Sequence, residues 1–145
     1  ISSNGPLGWG YNQDTTLQVP SSFTNSGKNF VSFSAPGGNY QLPIKDDIVQ
    51  VGFVINYEFA FNGVFNIGGI DENAKELYYT WSFGTSMATP HASGVAALIY
   101  NKYGRYASSV LVELILRKSS SDLGTKGRDG FFGNGHINAA RAVSL

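Results

Sequence analysis

Cysteine is absent from the 145-residue chain, which removes disulfides, thiolate metal sites and cysteine nucleophiles together. A surplus of either charge is also missing: 10 Lys and Arg face 10 Asp and Glu, for a formal net charge of zero. A protein held on nucleic acid mainly through phosphates carries a basic excess, so no nucleic-acid partner is expected. No run of about 18 apolar residues lacks a charge or a breaker, which excludes a membrane-spanning helix. No basic-then-apolar stretch follows Ile1 and there is no initiating Met, so no signal peptide is read. The chain is therefore expected to begin inside something longer, or after processing. Gly27-Lys28 has no glycine five residues earlier, so there is no phosphate-binding loop.

What is present is a globular composition, 42% hydrophobic, with 18 glycines and many Ser and Asn residues that favour tight turns. Phe30 to Ser34 alternates in part and predicts a strand, stopped by Ala35-Pro36-Gly37-Gly38. Ile48 to Phe61 is β-branched and aromatic. Asn62-Gly63 and then Val64 to Ile67 follow, a pattern that predicts a hairpin turning at Asn-Gly and closed by Gly68-Gly69. Leu77 to Phe83 predicts a further strand. Ser86 to Tyr103 then changes period: Ala88, Ala92, Val95, Ala96 and Ile99 share a helical face, and the opposite face is also small or apolar. Such a helix is expected to be buried all round. Helices are also predicted over Ser109 to Lys118 and Ala139 to Val143.

The chemistry concentrates where a predicted strand ends at Trp81-Ser82-Phe83, Gly84 permits a sharp turn, and a helix opens at Thr85-Ser86-Met87. The first N–H groups of a helix lack internal partners and favour negative charge. A serine there either caps the helix or holds its hydroxyl beside ready-made donors for an oxyanion. Position alone leaves both roles open. The run Gly84-Thr85-Ser86-Met87-Ala88-Thr89-Pro90-His91-Ala92-Ser93-Gly94 closely resembles the serine motif of the subtilisin-like serine peptidases, the subtilases. Ser22 to Gly27 with Phe33 to Gly38, and Phe132-Gly133-Asn134-Gly135-His136-Ile137-Asn138-Ala139, resemble segments on either side of that motif. The match covers most of the chain except about 53–79.

The resemblance implies a three-layer α/β fold with a mostly parallel sheet and helices on both faces. Residues 1–145 would be the C-terminal portion of its catalytic domain. It implies Ser86 as nucleophile, with its own N–H and more weakly Thr85 supporting the oxyanion, and a structural role for Gly84, Pro90 and His91. The activity implied is endopeptidase cleavage of protein substrates through an acyl-enzyme, with no cofactor in the chemistry and a secreted or extracytoplasmic, autoprocessed enzyme. Subtilases order their triad Asp, His, Ser, yet no His precedes Ser86 and Asp14, Asp46 and Asp47 fit no family motif. The Asp, the His and the oxyanion Asn would lie on an N-terminal half of the same protease, outside this chain. The chain alone is then expected to be inactive and poorly soluble. Several subtilases bind calcium, but Asp71, Glu72 and Glu76 make no definite calcium loop, so no metal site is assigned. The aromatic-rich hairpin insertion at about 53–79 reads either as a wall shaping specificity or as a surface hairpin.

Two other readings compete. An α/β-hydrolase would order Ser86, then Asp129 or Asp122, then His136, and would be self-sufficient. A non-catalytic fragment or binding remnant would need no base at all.

Overall fold

The computed structural model describes residues 1–5, 19–39, 49–51, 53–55 and 63–145. Three strands form one small sheet: β1 (Ser2–Gly5), β2 (Val19–Pro20) and β3 (Ser34–Pro36), in the order β2-β1-β3. β1 and β3 run parallel, with Ser2 opposite Ser34 and Asn4 opposite Pro36, while β2 is antiparallel to β1. Among the described residues β1–β3 is the one parallel pair. β4 (Val49–Val51) pairs with β5 (Phe53–Ile55), and β6 (Val64–Asp71) with β7 (Glu76–Ser82), both antiparallel.

The strand expected at Phe30 to Ser34 begins later. Phe30 lies in a turn, 89% exposed, and the ladder runs over Ser34–Pro36. Pro36 does not stop it, because the Asn4 carbonyl takes its hydrogen bond from Gly37 N–H at 3.0 Å, so the missing proline donor is not needed there.

Three helices follow: α1 (Thr85–Tyr103), α2 (Ser109–Ser119) and α3 (Ala139–Ser144). Their starts are chemical. Ser108 caps α2 through its side-chain oxygen, which accepts from Leu111 N–H, and Asn138 caps α3 by accepting from Arg141 N–H. A turn of 3₁₀ helix, Gly104–Tyr106, links α1 to α2. α1 lies against β1 and β3 on one side and against α2 and α3 on the other. Ala88, Ala92, Val95 and Ile99 line its buried stripe, meeting Phe33, Ala35, Val112, Ile115, Ile137 and Ala142. The helix is not buried all round as its composition suggested: Leu98 is 48% and Tyr100 44% exposed. The alanines bring strands and helices close on one stripe, while Pro90, Gly94 and Leu98, on another stripe, face the β6–β7 hairpin across an open groove.

The aromatic hairpin also differs from its expected form. β6 pairs with β7, and the turn expected at Asn62-Gly63 falls at Asn62, which lies outside the described residues, as do Tyr57, Phe59 and Phe61. The turn falls at Glu72 to Lys75. The Asp71 carboxylate accepts from the N–H groups of Asn73 (2.8 Å) and Ala74 (3.1 Å), and those bonds hold its pKa below the usual range. Gly68-Gly69 does not close the strand. It forms a bulge where the register shifts between Ile67 and Gly69, and a Cβ on Gly68 would come within 2.4 Å of the Tyr78 ring.

Candidate active site

β7 ends at Ser82 and α1 begins at Thr85, so the turn between them is very short. Gly84 makes it possible. Its φ of 138° and ψ of 166° lie in a region open essentially to glycine alone. The turn is also tied down from the sheet: Gly84 N–H donates to the Gly37 carbonyl at 2.8 Å. A Cβ on Gly37 would lie 2.6 Å from the Gly84 carbonyl oxygen and 2.2 Å from Ser3 Oγ. Gly37 therefore fits only as glycine beneath the Gly84 turn. Sequence reasoning saw Ala35-Pro36-Gly37-Gly38 as a strand stop and missed this clamp, since the contact spans 47 positions (84 less 37).

Ser86 is the second residue of α1 and is exposed. It does not cap the helix. Gly84 occupies the cap position, without a side-chain cap bond, so the capping role that position alone allowed is excluded. The N–H groups of Met87 (2.9 Å) and Ala88 (3.3 Å) both go to the Gly84 carbonyl, and those of Thr85 and Ser86 have no acceptor among the described residues. The first turns are braced by side chains: Thr89 Oγ1 donates to the Thr85 carbonyl at 2.8 Å, and His91 Nδ1 to the Met87 carbonyl at 2.8 Å. Pro90 has no N–H to give the Ser86 carbonyl, so that carbonyl is released from the ladder.

The two histidines do not converge on Ser86. His91 spends Nδ1 on its own helix. His136 Nδ1 lies 3.1 Å from Asn4 Nδ2, which can only donate, so that nitrogen accepts and the proton sits on Nε2. The His136 backbone is bonded both ways to Ser121 at 2.8 Å. Asp129 is spent too. One carboxylate oxygen accepts from the N–H groups of Phe131 (2.8 Å) and Phe132 (2.7 Å), the other from Thr125 N–H (3.1 Å). Asp122 accepts from Gly127 N–H at 2.9 Å. Both organise the loop before Gly133. The Ser86/Asp129/His136 set of the α/β-hydrolase reading is not assembled, because each partner is bonded elsewhere.

Burial, and then repulsion from His91, push the His136 pKa below its ordinary value. His136 is thus neutral in the fold, while the unfolded chain takes up its proton as the pH falls through about 6.5. The unfolded state then binds more protons, so the stability held above that pH is lost as the pH falls toward the folded value. The urea midpoint should fall between pH 8 and pH 5.5, and His136→Gln should flatten that difference. An undiminished difference in the variant would assign the effect to other groups.

Between them α1 and the hairpin form an open groove of about 590 Å³ lined by Val64, Ser82, Met87, Pro90, Gly94 and Leu98 among others. Gly94 stands mid-helix, where glycine costs about 1 kcal/mol relative to alanine, yet a Cβ there would meet nothing within 4 Å. No group of three or more His, Asp and Glu is placed to hold a metal among the described residues.

The sequence matches the Subtilase family over residues 10–135. The chain belongs to the subtilase family. It is 31% identical over 111 residues to an extracellular serine protease of Serratia marcescens, covering 77% of this chain and 10% of that protein. It is 27% identical over 138 residues to the subtilisin-like protease SBT4.12 of Arabidopsis thaliana, covering 91% of this chain and 18% of the relative. A lanthipeptide protease of known structure superposes with a TM-score of 0.67 at 31% identity, over 88% of this chain and 39% of that one. The subtilase chain thus has the subtilisin-like α/β fold in part, and spans less than a third of the length of these curated relatives. Among its described residues no helix is long and apolar enough to cross a membrane.

Proposed function

We propose that this chain is the nucleophile-bearing, C-terminal portion of the catalytic domain of a secreted serine endopeptidase, with the aromatic hairpin as an insertion. The observation that carries the reading is the turn at Gly84: it leaves the Ser86 hydroxyl exposed beside two unclaimed N–H groups, at a helix N-terminus, within a subtilase motif. Ser86 Oγ attacks the scissile carbonyl carbon and loses its proton to a base. The carbonyl oxygen becomes the oxyanion, received by Ser86 N–H, with Thr85 in support. The base returns the proton to the departing amine, leaving an ester on Ser86 that water hydrolyses. Gly84, Pro90 and His91 act by holding the turn and its first helical residues.

A serine hydroxyl is a weak nucleophile without a base, and both histidines here are bonded elsewhere. The base, its Asp and an oxyanion Asn come from a segment outside this chain, an N-terminal half seated against the open face of α1. The bare side of Gly94 is the place where another backbone can approach closely. The chain alone is inactive in this reading, and its likeness to proteases supports protein substrates.

Fluorophosphonate labelling read by intact mass tests the reading, because the reagent reports an activated serine. The complete protein should take one adduct on Ser86 and the isolated chain none. A folded, complete protein that takes no adduct would make the motif a non-catalytic remnant.

A further inference from the structure

The β6–β7 hairpin has one face made only of large apolar side chains. Cross-strand pairing puts Phe65 with Trp81, Ile67 with Tyr79 and Ile70 with Leu77, and the bulge at Gly68 keeps all six on the same side. Phe65 stacks on Tyr79 with ring centroids 5.4 Å apart and leans on Trp81 at 4.7 Å. These rings form a ladder, yet Phe65, Ile67, Ile70, Leu77 and Tyr79 stay more than half exposed, from 52% at Ile67 to 64% at Ile70. The hairpin's charges, Asp71, Glu72, Lys75 and Glu76, sit at its tip and off this face. Contiguous exposed apolar surface of this kind marks a binding surface.

Its position says what binds. β7 runs directly into Gly84 and Ser86, so the face starts five residues from Ser86 and runs on along the hairpin for about 15 Å at roughly 3.4 Å per residue. A substrate chain reacting at Ser86 must lie beside the root of this hairpin. We infer that the apolar face is a second contact for the substrate, binding an extended stretch rich in aromatic and aliphatic residues several positions from the bond cut. The absence of charge on the face excludes an ionic ligand, and its length suits about five residues of extended polypeptide. Such stretches are buried in folded proteins, so the enzyme favours unfolded or unstructured substrates. This rests on Ser86 being the nucleophile.

The test uses the complete protein and peptides built on a segment that it cleaves in casein. Each peptide is extended by six residues at one end, either alternating Phe and Leu with Ser, or Gly and Ser only. The apolar extension at one end or the other should raise kcat/KM roughly tenfold over the polar one, mainly through KM. Phe65→Ser with Tyr79→Ser should bring that ratio to about one, while Phe30→Ser, at a side chain exposed elsewhere, should leave it at ten. Should the double variant fold poorly, Leu77→Glu places a charge on the same face and should collapse the ratio too. A wild-type ratio near one at both ends, with Ser86 labelled by fluorophosphonate, overturns this inference alone. A dimer that the double variant dissolves with the ratio unchanged overturns it in favour of self-association. Loss of both cleavage and labelling overturns the Ser86 reading, and this inference with it.

Discussion

Ser86→Ala in the complete protein should lower peptide hydrolysis by about five to six orders of magnitude and leave the fold intact. The size follows from the covalent route: without Oγ there is no ester, and an assisted nucleophile and its base act as one unit, so losing either removes most of the effect. The residue left in place, its N–H included, should retain a small rate above water through oxyanion stabilisation. The fold should not notice. Ser86 is exposed, makes no cap, and alanine has the higher helix propensity. Steady-state kinetics with a thermal melt decide the matter. A fall of less than tenfold with an unchanged melt would place the nucleophile elsewhere, and a large fall accompanied by unfolding would make Ser86 a structural residue.

Gly37→Ala should also be damaging, by about a hundredfold in rate, for the opposite reason. It touches no substrate. Its added Cβ would meet backbone and a buried hydroxyl at distances no carbon can keep: the Gly84 carbonyl oxygen at 2.6 Å and Ser3 Oγ at 2.2 Å. Ser3 Oγ is itself bonded to Ser21 Oγ at 2.8 Å, so it cannot simply turn away. The Gly84 turn must shift, and with it the Gly84 N–H bond to the Gly37 carbonyl. Overpacking of this kind costs typically 1–3 kcal/mol of stability. A displacement of the nucleophile near 1 Å costs about a hundredfold in rate. The expected signature is a drop in kcat larger than any rise in KM, together with slower fluorophosphonate labelling. Wild-type kcat in a folded Gly37→Ala protein would show that the clamp does not position Ser86.

The contrast between these two residues shows what was legible in the chain. Ser86 stands in an eleven-residue run whose local chemistry, a glycine turn and then a helix start, is complete within itself. Local rules also located α1, α2 and α3 to within a residue or so, because capping and periodicity act over a few positions. Gly37 was equally visible as a letter, but its task depends on two segments meeting across the fold. The hairpin shows the same division. Val64 to Ile67 carries a strand pattern, with Gly68-Gly69 expected to close it. The pairing actually formed is with Glu76–Ser82, where Phe65 stacks against Tyr79 and Trp81 and the Asp71 carboxylate closes the turn. A glycine pair marks only a local break, and cross-strand side-chain packing decides whether the strand runs on past it.

The sequence by itself determined the family, the serine motif at Ser86 and the helices, since each rests on near neighbours along the chain. The tertiary structure decided which stripe of α1 is buried, that Gly37 holds the Gly84 turn, and that Asp129 and His136 serve a loop and the Asn4 amide instead of Ser86. It also decided which hairpin face stands open. Those outcomes are set by contacts between residues far apart in the chain, where a side chain's role follows from what is packed against it.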